Sequence, residues 1–232
     1  MARWLLLLVA FGLALSFIAT ARRLWSETIR GRADRAAYLS LVLPLLAEPR
    51  MRLEPSGFSR LAGRYAGHAV DLQAVPDSLT FRKLPALWLL VSLTEPQPLA
   101  GETRIMLRPS GLEPFSTFAR LPAETAPPPG FPAHCVVRTT APGHPPPARV
   151  MAALAGLFED PALKEVVLSP AGLRLVRLAE EAPRGAYLLF READLGRTAV
   201  PAATVQPMLE TLIGLARELA RADDHRVVAS DA

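Results

Sequence analysis

Leu87-Trp-Leu-Leu-Val-Ser-Leu93 is the stretch on which the reading of the fold turns. It is almost continuously apolar, too short for a buried helix of ordinary length, and it reads as a central strand covered on both faces. Upstream, Arg60-Leu-Ala-Gly-Arg-Tyr65 and His68-Ala-Val-Asp-Leu-Gln-Ala-Val75 flank Ala66-Gly67. Val70, Leu72 and Ala74 alternate there with Asp71 and Gln73, the period of a half-buried strand, so the two segments are expected to form a β-hairpin. Downstream, Thr103-Arg-Ile-Met-Leu-Arg108 alternates and is placed beside residues 87–93, which gives one sheet of about four strands.

Residues 109–148 are rich in proline, including Pro127-Pro-Pro129 and Pro145-Pro-Pro147, and read as a linker or excursion between two halves. Their one expected strand is His134-Cys-Val-Val-Arg-Thr139. Arg149 to Glu159 sets Val150, Met151, Leu154, Leu157 and Phe158 on one helical face, ended by Asp160-Pro161. Further strands are expected at Glu165–Leu168, at Leu173–Leu178 after the Ser169-Pro-Ala-Gly172 turn, and at Ala186–Arg191. From Val205 to Arg221 apolar residues recur every three or four positions, the pattern of a helix that covers a sheet, with Pro207 tolerated in its first turn.

At the other end, Trp4 to Ala21 is a run of 18 uncharged residues. A helix of that length reaches about 27 Å, enough to span a bilayer core. The rival reading is a cleaved signal peptide, since Arg3 precedes the run and Ala19-Thr20-Ala21 fits the small-x-small cleavage pattern. The length of the apolar run favours a retained anchor. Arg22, Arg23 and Trp25 then form the membrane flank, with Trp25 at headgroup level, and the arginines that follow the run place the large domain in the cytoplasm, with a periplasmic domain as the alternative. Residues 37–47 are apolar but too short to cross and are read as a short helix bent near Pro44.

The expected architecture is therefore α+β: an N-terminal transmembrane helix, then a soluble domain of about seven or eight mostly antiparallel strands with two or three covering helices. Its divisions are an anchor at 1–21, a basic juxtamembrane segment with a short helix at 22–48, a β-rich subdomain at 49–108, the proline-rich stretch at 109–148, an α/β subdomain at 149–222 and a tail at 223–232.

Charge narrows the function. The formal net charge is +4. Residues 1–36 carry Arg3, Arg22, Arg23, Arg30, Arg32 and Arg35 against Glu27 and Asp34, which accounts for all of it. The rest of the chain is formally neutral, so net charge gives no footprint for nucleic acid. Lysine occurs only at Lys83 and Lys164, and asparagine is absent, a bias that reads as a GC-rich bacterial genome and leaves no N-glycosylation sequon.

Motifs for chemistry are missing. There is no Gly-x-x-x-x-Gly-Lys-Ser/Thr or Gly-x-Gly-x-x-Gly run and no Gly-x-Ser-x-Gly elbow. His68, His134, His144 and His225 have no metal-ligand spacing, and no metal or cofactor is expected. Cys135 is the single cysteine; His134 beside it points to the opposite face of a strand, so Cys135 reads as a small buried apolar residue. One loop stands out: Asp77, Phe81, Arg82 and Lys83 precede the central strand and form a candidate ligand or partner loop. The expected partners are the lipid bilayer, through the N-terminal helix, and another membrane or envelope protein. The expected role is a non-catalytic interaction or assembly domain, with a membrane-tethered enzyme or a small-molecule or lipid sensor as the alternative.

Overall fold

The computed structural model describes residues 2–78, 84–185, 187 and 194–230, without the side chains of 2, 3, 5–10 and 225–230. Helix α1 (Ala2–Ala36) leads into a 3₁₀ turn at Ser40–Leu45 that contains Pro44. Nine strands follow: β1 (Ala47–Leu53), β2 (Ser59–Tyr65), β3 (His68–Asp77), β4 (Ala86–Leu93), β5 (Thr103–Leu107), β6 (Ala123–Thr125), β7 (Cys135–Thr139), β8 (Leu163–Ser169) and β9 (Gly172–Glu181). Helix α2 (Ala148–Leu157) separates β7 from β8, and α3 (Ala202–Ser230) closes the chain.

The strands form one open sheet in the order β1-β2-β3-β4-β9-β8-β5-β7-β6, and every neighbouring pair is antiparallel. The α+β reading and the 60–75 hairpin agree with this, as do the helices expected near 149 and 205. Among the described residues the strand count rises from the expected seven or eight to nine. Two further points differ. The 103–108 strand does not pair with 87–93; β5 lies between β8 and β7, and β4 pairs instead with β3 and β9. Alternation identifies a strand but says nothing about which partner takes its edge, and the hairpin-linked β8 and β9 insert as a unit between β4 and β5. Two strands are unexpected: β1, whose seven residues are all exposed, so that no buried face gave it a periodic signature, and β6, whose three residues are too few to show one. The strand expected at 186–191 falls, apart from Tyr187, outside the described residues.

The run 87–93 is apolar throughout because it serves two cores. Leu87, Leu89, Val91 and Leu93 join Leu72, Leu175, Val166 and Ile105 against α2 and α3, where Val150, Leu154, Leu209, Leu212 and Leu219 meet them. Leu90 points the other way, into a smaller cluster with Met106, Val176, Phe115 and Phe118. The helices cover one face, and residues 108–121 cover part of the other.

Both outer strands are blunted. β1 carries Pro49 and an irregular register between Ala47 and Arg50, with Glu48 at φ +50°. β6 has three residues and runs into Pro127-Pro-Pro129. Proline and backbone irregularity remove the regular row of donors that another strand would need.

Helix α1 touches the domain only at its end. Gly31 packs against the Arg197 guanidinium, Arg197 pairs with Asp34 at 3.5 Å, and Val200 donates its N–H to the Tyr38 carbonyl at 2.9 Å. Before that turn its apolar side chains are bare: Phe11 is 64%, Phe17 76% and Trp25 72% exposed. Among the described residues no helix is long and apolar enough to cross a membrane. The leucine-rich part of the 4–21 run, at 5–10, is not among the described side chains.

The β8–β9 hairpin depends on a residue without a side chain. Gly172 has φ +151°, and a Cβ there would lie 2.2 Å from the Leu93 carbonyl oxygen. Gly172→Ala is expected to cost about 2–4 kcal/mol in urea denaturation, through strain and displaced backbone. Gly143→Ala, where a Cβ meets nothing within 4 Å, is expected to stay within about 0.5 kcal/mol of the parent.

Candidate functional site

Strand register decides which polar side chains meet on the face away from the helices. Pairing sets Asp71 opposite Ser92, Ser92 opposite Arg174, Arg174 opposite Val167, Val167 opposite Arg104 and Arg104 opposite Arg138. Paired residues share a face, so these side chains form a row across the sheet. Within it Arg60 grips both Asp71 oxygens, at 2.9 and 2.8 Å, and Arg174 Nε donates to Ser92 Oγ at 2.9 Å.

This row fastens the 108–121 segment to the sheet. Arg138 donates to the carbonyls of Ala119 (3.1 Å) and Leu121 (3.3 Å), and its guanidinium lies 5.7 Å from the centre of the Phe118 ring. Arg104 Nη1 donates to Ser116 Oγ at 3.0 Å, and Ser116 in turn donates to Glu165 Oε1 at 2.5 Å. Lys164 donates to the carbonyls of Leu107 (2.7 Å) and Arg108 (2.6 Å). Glu113 closes a tight turn by accepting from Ser110 Oγ (2.8 Å), the Ser110 N–H and the Gly111 N–H (3.1 Å). Burial raises the Glu113 pKa, but those donors, with Lys164 nearby, outweigh it and hold the carboxyl below its ordinary range.

Glu165 is the least ordinary group of the set. It is fully buried, and its Oε2 has no hydrogen-bond partner. Burial pushes its pKa up, and the opposing pull of Ser116, Arg104 and Arg174 does not restore it. Arg104, 9% exposed, also pairs with Glu102, so it is shared between two carboxylates.

Beside this network a cleft of about 440 Å³ opens between the ends of β3, β4, β9, β8 and β5 and the 108–121 segment. Trp88 and Phe115 form part of its wall, with ring centroids 4.9 Å apart. Trp88 Nε1 is buried and unpartnered. Asp77, Arg108 and Glu181 also line the cleft.

Of the residues singled out from sequence, Asp77 ends β3 and lies in this cleft. Phe81, Arg82 and Lys83 lie outside the described residues. Arg22, Arg23 and Trp25 are exposed on α1, away from the cleft. Cys135 is buried in the helix-side core and its thiol is pushed up to about 11 by burial, which leaves little thiolate at neutral pH. His68 meets Glu95 at 2.8 Å beside the β2–β3 turn. Among the described residues no group of three or more His, Cys, Asp or Glu side chains converges as a metal site would require. Sequence reasoning passed over Glu165, Arg104, Arg174 and Trp88. A signal was present in Glu165, the one acid beside the apolar Val166-Val-Leu168 run, and in the arginines that alternate with apolar residues in β5, β7 and β9.

The raised pKa of Glu165 has a definite consequence. The folded chain holds this proton more tightly than the unfolded chain, whose carboxyl titrates near about 4.3. The resulting stabilisation is present at low pH and is lost as pH rises through the folded-state value. Glu165→Gln removes the titration, so in urea denaturation at a series of pH values the stability of the parent relative to the variant should fall as pH rises from about 4.3. A pH-independent difference would show that Glu165 titrates as an ordinary carboxyl. Compared with known proteins, the chain matches no family model, no curated protein and no solved structure.

Proposed function

We propose that this chain is a single-pass, membrane-anchored, non-catalytic interaction or assembly domain of a bacterial inner membrane, with α1 crossing the bilayer. In this reading the sheet domain lies in the cytoplasm and binds another membrane or envelope protein. The observation that carries it is the bareness of α1. A helix of 35 residues leaves Phe11, Leu13, Leu15, Phe17 and Ile18 more than half exposed and meets its own domain only in the last turns. Exposed apolar surface of that extent marks an interaction site, and lipid suits a run without charge. The arginines from Arg22 onward, with Trp25, suit the headgroup level on the cytoplasmic side.

The cleft beside Asp77 favours a second reading, a tethered enzyme or sensor of a small molecule or lipid.

Membranes washed with alkaline carbonate should retain the chain, and release into the wash would overturn the anchor. A C-terminal alkaline phosphatase fusion should be inactive and a green fluorescent fusion bright. The reverse pattern would place the domain in the periplasm. Crosslinking in intact membranes should yield a conjugate with a second protein, whereas recovery of the chain alone would count against the interaction role.

A further inference from the structure

The geometry points to the cleft under the 108–121 segment as a binding site for a short apolar peptide with both termini free, about three residues long. This deepens the second reading above and does not depend on the anchor.

The charges around the cleft sort into two ends. Lys164 and Glu113 lie 3.8 Å apart and are occupied with each other and with backbone groups. At one end Glu181 lies opposite Ala86, while Asp77, on the same rung of the sheet, is already engaged by a partner of its own. At the other end Arg108 follows β5 at φ +48°, turned out of the regular strand path. Neither Glu181 nor Arg108 forms an ion pair among the described residues. β9 and β5 are two interstrand steps apart, and with the offset along the strands their backbones stand roughly 15 Å apart at these residues. Both residues line the cleft. A cation is therefore favoured at one end and an anion at the other, with a separation that a single amino acid cannot bridge. An extended tripeptide covers about 10 Å.

The middle of the cleft fits the middle of such a ligand. Trp88, Phe115 and Leu178 offer an apolar surface for one side chain. The cavity, about 440 Å³, is in the size range of ordinary small-ligand sites.

The test is calorimetric titration of the full chain in lipid nanodiscs with the tripeptide Ala-Leu-Ala, its N-acetyl form and its C-terminal amide. The free peptide should bind, and each capped form should bind about tenfold or more weakly, because each loses one charge-assisted contact. Glu181→Gln should erase the penalty for acetylation, and Arg108→Gln the penalty for amidation. Equal binding of free and capped peptides would overturn the two-ended ligand while leaving a binding cleft. Absence of heat with all three up to about 10 mM would overturn the peptide ligand, while the second reading, which also admits lipids and other small molecules, would stand or fall separately. Urea midpoints for each variant within error of the parent establish that lost binding is not lost folding.

Discussion

The architecture rests on the antiparallel ladder between β4 and β9, from Ala86 opposite Glu181 to Leu93 opposite Leu173. On one side of that seam lie β1 to β3, a local meander; on the other lie β8, β5, β7 and β6. Without it there would be two small sheets, one of them edged by the nearly continuous apolar run of β4. With it, both faces gain a core: helices on one side and a strapped loop on the other. A one-residue slip in this ladder would turn Leu89 and Val91 away from α3 and bring the face of Arg174 and Ser92 into the apolar core, so both faces hold the register.

The loop face shows a different balance. Phe115 and Phe118 supply apolar burial, but the position of the segment is set by arginine and lysine donors to its carbonyls and by the Arg104–Ser116–Glu165 chain. Burying a carboxylate costs more than its pairing returns unless every lone pair is satisfied. Here Oε2 is not satisfied. The raised pKa is the chemical response to that deficit: the group moves toward its neutral form. An apolar residue at this place would pack without the deficit but would not hold Ser116, and so would leave the strap without its central fastening.

What could be read from the chain, and what could not, follows from locality. The 60–75 hairpin, α2 and α3 each carry their period within a dozen or so residues, and all three are present. The partner of β5 was misplaced because it lies about 60 residues downstream, across the proline-rich stretch. β1 escaped because a strand exposed along its whole length has no buried face to report. For the site, Asp77 was legible as a charged residue before a buried strand. The unpaired indole of Trp88 and the buried acid of Glu165 were not, since each belongs to a run that sequence reads simply as apolar. Their character comes from neighbours on other strands.

The seam with which the fold is built also sets the order of its assembly. As the chain leaves the ribosome, β2 to β4 are complete and able to pair long before β9 exists, because the residues joined across the seam are 80 to 95 positions apart. During that interval the free edge of β4 is a flat, uncharged strand with apolar side chains on both surfaces, the kind of edge that recruits foreign strands. The finished sheet guards its two outer strands with proline and irregular backbone. Its most adhesive edge is an inner one, protected only by the arrival of the rest of the chain, so the hazard for this protein is concentrated in synthesis and vanishes once β9 docks.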